Sequence, residues 1–227
     1  VQTFPYATHS TPGVFRLDGA FEDLTLDYAP AESTGERGWP LLVGGKGTLS
    51  MVSDRLSIKA TAGALQMPDE QEIAINRLTA DIIDLETTPF LMLDGVTAGS
   101  ANSYRSALTK TALVDLVPPF VTEVSGTGQW SLPLTLQMNL EDTDAATFRA
   151  VLNLNGGSVG YADVPPLIVN SGEAVFTETG FEAQGLAGTW LGGDFIVSGA
   201  INDNEHTLQA KGDLAWSALA KYTNSVI

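Results

Sequence analysis

Residues 124–140, VSGTGQWSLPLTLQMNL, carry the reading that decides the fold. The even positions are Val124, Gly126, Gly128, Trp130, Leu132, Leu134, Leu136, Met138 and Leu140. The odd ones are Ser125, Thr127, Gln129, Ser131, Pro133, Thr135, Gln137 and Asn139. Successive side chains of a strand point to opposite faces, so this run has one apolar and one wet face, as in an antiparallel strand solvated on one side. At about 3.3 Å per residue it would reach roughly 55 Å, against five or six residues for a usual strand. It must bend or break, and Gly126, Gly128 and Pro133 are the positions expected to curve it or to mark an edge.

Shorter segments of the same kind lie on either side: 14–28, 47–52, 56–67 and 73–85 before it, and 148–161, 167–177, 181–190, 194–201 and 207–216 after it. Ser53-Asp54, Thr179-Gly180 and Gly192-Gly193 separate apolar runs and read as tight hairpin turns, where a left-handed backbone favours Gly, Asn and Asp. Strands that follow one another so closely form a meander. Two stretches read as helix. One is capped by Asn102 or Ser103, carries Tyr104, Leu108, Ala112, Leu113 and Leu116, and is stopped by Pro118-Pro119; the other runs from Trp216 to about Tyr222. Two short helices cannot cover the apolar face of ten or eleven strands. Either two sheets face each other, or one strongly curved sheet folds over on itself.

Composition narrows the chemistry. The 227 residues hold 27 acidic against 11 basic side chains, a net charge of −16, and no cysteine. Nucleic acid and anionic membrane surfaces would be repelled. Disulfide frameworks, thiol nucleophiles and thiolate metal sites are excluded. No run reaches the roughly 18 consecutive apolar residues of a membrane-spanning helix, and a start at Val1-Gln2-Thr3 leads us to expect a piece of something longer.

The chain also repeats itself. Phe15 to Tyr28 aligns with Phe148 to Tyr161 at an offset of 133, Leu56–Gly63 with Phe181–Gly188 at 125, and Ser106–Lys110 with Ser217–Lys221 at 111. Such a pattern is how elongated architectures grow by adding units along one axis. The expected organisation is a lead-in over 1–13, a first curved-sheet segment over 14–121 with a short helix near 103–117, and a second over 122–227 that opens on the long strand and closes on a short helix.

The phrases Gly128-Gln129-Trp130-Ser131-Leu132-Pro133-Leu134-Thr135-Leu136, Phe148-Arg149-Ala150-Val151-Leu152-Asn153-Leu154, Pro165-Pro166-Leu167, Gly172-x-x-x-Phe176 and Leu191-Gly192-Gly193 come in an order that resembles the YhdP branch of the AsmA-like proteins. The first half agrees, with Leu24-Thr25-Leu26-Asp27-Tyr28, Trp39-Pro40 and Gly47-Thr48-Leu49. The resemblance covers essentially the whole chain. It implies an elongated, mainly β repeating groove, shaped like a taco. By the same resemblance, this is a periplasmic piece of a long envelope protein of Gram-negative bacteria, anchored in the inner membrane elsewhere and implicated in moving phospholipid towards the outer membrane.

No catalytic constellation is evident in the residues. His9 sits in a Thr/Ser/Pro-rich lead-in and His206 in what reads as a polar hairpin turn, and there is no Gly-x-Ser-x-Gly elbow. The clusters Glu141-Asp142-Thr143-Asp144 and Asn202-Asp203-Asn204-Glu205 offer oxygen ligands without an EF-hand spacing and read as polar turns. Gly44-Gly45-Lys46-Gly47 lacks the phosphate-loop spacing and also reads as a turn. We therefore expect no enzyme activity, no metal and no cofactor.

The apolar face is the candidate site. Its expected lining is Phe15, Leu17, Leu56, Ile58, Ile73, Ile75, Val124, Trp130, Leu132, Leu134, Leu136, Met138, Leu140, Phe148, Leu152, Leu154, Phe176, Phe181, Phe195, Val197, Leu208 and Leu214. As the core of a sandwich it would be structural. As a trough it would take phospholipid acyl chains, with flanking segments of the same longer chain as further partners and membrane contact only through parts outside this piece. The alternative is a structural or carbohydrate-binding β-domain of a cell-surface protein, which would carry aromatic side chains on its wet face, whereas Trp130 falls on the apolar one.

Overall fold

The computed structural model describes residues 14–29, 36–117, 122–142, 145–162, 164–202 and 206–213. In chain order the elements are β1 (Arg16–Leu26), β2 (Leu41–Val52), β3 (Arg55–Gln66), β4 (Glu72–Ile83), β5 (Phe90–Ser100), helix α1 (Ala101–Lys110), a 3-10 turn (Ala112–Leu116), β6 (Val124–Thr127), β7 (Gln129–Asn139), β8 (Thr147–Leu154), β9 (Ser158–Tyr161), β10 (Val164–Thr177), β11 (Gly180–Trp190), β12 (Gly193–Asn202) and β13 (His206–Gly212). Among the described residues all thirteen strands belong to one open antiparallel sheet, whose main path is β1-β2-β3-β4-β5-β7-β8-β10-β11-β12-β13. Of the two architectures left open by the sequence, the protein adopts the single curved sheet.

The long run of 124–140 breaks at Gly128, whose φ of 104° is left-handed, into β6 and β7. The run of 148–161 breaks opposite it at Gly156 and Gly157, with φ of 83° and 94°, into β8 and β9, and the two outer pieces β6 and β9 pair with each other. Only glycine fits at 157: a Cβ there would lie 2.0 Å from the carbonyl oxygen of Thr127. Pro133 does not mark an edge. It pairs with Val96 in an unbroken β5 ladder, while the ladder to β8 lapses at Leu132 and Pro133, where the missing donor interrupts it.

Register shifts recur in mid-strand across the sheet: between Phe21 and Leu26 in β1, Val43 and Gly47 in β2, Ile75 and Arg77 in β4, Val169 and Glu173 in β10, and Ala183 and Leu186 in β11. A bulge bends its strand and increases the local twist, so a line of bulges creases the sheet. The offset of 133 superposes Asp23 (φ 56°), at a register shift inside β1, on Gly156 (φ 83°), in the break between β8 and β9, and both are left-handed.

Several boundaries differ from the sequence reading. Strand β5 was not among the expected segments: its Phe90-Leu91-Met92-Leu93 is apolar at every position, which hides the alternation. Gly44 and Gly45 form a bulge inside β2 rather than a turn. The Ser53-Asp54 turn is present, but the other two turns fall one residue early, at Glu178-Thr179 and Leu191-Gly192. The helix is capped by neither Asn102 nor Ser103. The Ser100 side chain accepts from the Ser103 N–H at 3.0 Å, so the helix starts two or three residues earlier, and its regular part ends at Lys110 rather than 117. The lead-in, Pro118-Pro119 and the expected second helix lie outside the described residues.

Candidate functional site

Residues directly opposite each other in a ladder share a face, so the register traces the apolar face strand by strand. One row runs Leu17, Met51, Leu56, Ile82, Leu91 and Met138. The next runs Leu49, Ile58, Ala80, Leu93, Leu136 and Phe148. A third runs from Phe21 through Ala60, Leu78, Leu134, Ala150, Phe176 and Phe181 to Ile201, with Gly47 and Gly95 in the gaps. No charged side chain interrupts these rows, of which the first spans β1 to β7, the second β2 to β8 and the third β1 to β12.

Beyond the crease the same face is covered. Ile73, Trp130 and Leu154 stand in one row, and Ala101, Tyr104 and Ala107 of α1 join them, with Met67, Val169, Ala183 and Leu186, in a buried cluster. The Trp130 and Tyr104 rings stack at 6.2 Å, and Gly126 makes room for the indole, since a Cβ would sit 2.6 Å from it. The helix is tied down by the Tyr104 hydroxyl on Thr97 Oγ1 (3.0 Å), Ser106 Oγ donating to Asp69 (2.5 Å), the Ala101 N–H donating to the Gly128 carbonyl (3.0 Å) and, through the following turn, the Ala112 N–H on Gly38 (3.0 Å). Burial pushes the Tyr104 phenol up to about 12, against the weaker pull of Thr97, so it stays protonated at neutral pH. Trp130 Nε1 is buried and has no hydrogen-bond partner among the described residues. On the other arm Leu134, Leu136, Met138, Leu91, Leu93 and Phe148 are partly exposed.

Of the expected lining residues, Leu17, Leu56, Ile58, Ile73, Ile75, Trp130, Leu132, Leu134, Leu136, Met138, Phe148, Leu152, Leu154, Phe176, Phe181, Phe195 and Val197 share this face by register. Ile73, Trp130 and Leu154 belong to the buried cluster, where they hold α1 rather than line open surface. Phe15 precedes β1, Val124 pairs with Tyr161 beyond the Gly128 break, and Leu140 lies past the end of β7, 39% exposed. The backbone of Leu208 stands opposite Gly199 in β13, and Leu214 lies outside the described residues. The sequence reading missed Leu49, Met51, Leu78, Ile82, Leu91 and Leu93. Leu78 and Ile82 were detectable as alternating with Thr79 and Asp81, whereas Leu91 and Leu93 needed the pairing with β7.

Over the first half of the sheet the opposite face is polar. Asp81 accepts from Ser57 Oγ (2.5 Å) and from Arg55 (2.8 Å), Arg77 pairs with Asp94 (2.6 Å), and Lys46 with Glu22 (2.7 Å). A shallow cleft of about 370 Å³ between Thr48, Ser50, Arg55, Ser57, Lys59 and Asp81 lies on this side. The Ser57 bond first, and then Arg55, holds the Asp81 carboxyl below the usual range. Its contribution is therefore present above the unfolded carboxylate value of about 3.9 and fades as pH falls through the lower folded one. Because Arg55 is 55% exposed, solvent screens the pair. Asp81→Asn is expected to cost less than about 1 kcal/mol in a denaturation series at pH 7, and less still in high salt.

His9 and most of the two acidic turns lie outside the described residues, and His206 begins β13 rather than sitting in a turn. Among the described residues no three His, Asp or Glu side chains are grouped as a metal site would require, and no helix is long and apolar enough to cross a membrane. The model of the family described as YhdP protein matches residues 1–227. No curated protein and no solved structure matches the chain.

Proposed function

The chain belongs to the YhdP family, and from that premise we propose that its apolar face is a trough guiding phospholipid acyl chains through the periplasm between the inner and outer membranes. The observation that carries this reading is the set of apolar rows on one face, one of them reaching from β1 to β12, with no second sheet against them among the described residues. The ten strands that this longest row crosses, at about 4.8 Å spacing, give the trough a length of roughly 43 Å. An acyl chain laid in it replaces the missing packing layer, and at about 0.8 kcal/mol per buried CH₂ a sixteen-carbon tail gains on the order of 10 kcal/mol. A wall without polar pockets binds each position about equally, so a tail slides without a deep trap. The head group stays in water, no covalent step is needed, and the net charge of −16 disfavours selection by attraction to anionic heads. In this reading, adjoining segments of a longer chain continue the face past β1 and β13, and membranes are met by other parts of that chain.

Protein expressed in a Gram-negative host should copurify with phospholipid, and a photo-crosslinking residue at Leu134 or Leu136 should trap it while one at Gln137, on the polar face, does not. Equal labelling from both faces, or lipid-free monomer with no crosslink at any position, overturns the proposal.

A further inference from the structure

Resting on that reading, we infer that helix α1 is a fixed partition that closes one arm of the trough at its middle and confines passing acyl chains to the other arm, lined by Leu93, Leu134, Leu136 and Phe148. The helix has ten residues, about 15 Å at 1.5 Å per residue, and lies against β4, β5 and β6, near the centre of the strand path. Its Ala101, Tyr104 and Ala107 occupy the apolar surface that Ile73 and Trp130 would otherwise offer to a tail.

Two features mark it as a partition rather than a lid. The anchors come from separate directions: Thr97 on β5 holds Tyr104, Asp69 in the β3–β4 turn holds Ser106, Gly128 at the β6–β7 break holds Ala101, and Gly38 before β2 holds the turn that follows. The polar groups the helix brings to the interface are also satisfied there, since Ser103 and Ser106 are buried and bonded to Gln71 and Asp69. Lifting the helix would strand several of these groups together and expose the cluster beneath. The space left open runs from the crease to the far strand ends, for β7 from Leu134 to Met138. That is about 13 Å measured along the strand, so lipids pass this point along one side only.

The test places a photo-crosslinking residue at Leu93, on the open arm, and at Leu65, which packs against the buried cluster, in the full chain in cells. Lipid should be captured at Leu93, with capture at Leu65 at least tenfold lower. In Ala107→Asp, where a charge under the helix forces it off the sheet, labelling at Leu65 should rise towards that at Leu93. Equal capture at both positions in the otherwise unaltered chain overturns the partition while leaving the trough standing. Absence of capture at both, with the chain folded, overturns the trough reading itself and the partition with it. If Ala107→Asp does not fold, the comparison of Leu93 with Leu65 decides alone.

Discussion

Leu136→Asp is expected to abolish phospholipid transfer while leaving the protein folded. Leu136 lies between Leu93 of β5 and Phe148 of β8 on the open arm and is only partly buried. A carboxylate there stays in reach of water, so the substitution loses the apolar contacts of the leucine, about 1–2 kcal/mol, and escapes the several kcal/mol of an unpaired buried charge. A tail moving along the trough would have to strip that carboxylate of water at each passage. A barrier of about 3 kcal/mol already slows the step more than a hundredfold, since each 1.36 kcal/mol is a factor of ten. Transfer of a labelled phospholipid by the full chain and a denaturation midpoint measure the two effects separately. Gln137→Asp, one residue on and on the wet face, should alter neither. Unfolding of Leu136→Asp would mean a sealed core in place of a trough.

The largest loss of stability is expected at Trp130. Its side chain is 7% exposed, stacks on Tyr104 and stands between Ile73 and Leu154 under α1. Trp130→Ala should cost about 3–5 kcal/mol through lost burial and the cavity left behind, a large share of the 5–15 kcal/mol that holds a typical domain together. Trp130→Phe should cost far less, under about 1.5 kcal/mol. The indole N–H it removes has no acceptor among the described residues, and deleting an unsatisfied buried donor returns part of its desolvation cost, about 1–3 kcal/mol. Urea midpoints for the two variants check this. A Phe variant as unstable as the Ala variant would mean that the N–H is satisfied by a water in the cluster.

The alternation of 124–140 was legible because side-chain direction in a strand depends on residue parity alone. From it and its neighbours follow the all-antiparallel meander, the apolar face and the polar one, and the order of phrases along the chain pointed to the family. Parity also explains the limits of that reading. It assigns faces within a strand but is reset at every bulge: the shift between Ile75 and Arg77 moves the inward set from Ile73 and Ile75 to Leu78, Ala80 and Ile82, and no local signal announces it. In β5, where four apolar residues are consecutive, parity has nothing to distinguish, and only pairing with β7 turns Leu91 and Leu93 inward. The cap was misplaced because Ser100, Asn102 and Ser103 are all competent caps; the end of the β5 ladder decided among them.

Whether the apolar face closes into a sandwich or stays open is likewise a tertiary matter, because both bury the same residues in the same alternation. Curvature decides it. The line of bulges bends one sheet so that no second sheet is required, and α1 covers only the part around Trp130. The sequence by itself determined which side chains are apolar and which of them share a side between bulges, since covalent geometry alternates them residue by residue. Where the face is covered and where it is open depends on contacts between strands and helix that are distant in the chain, and only the folded sheet brings these together.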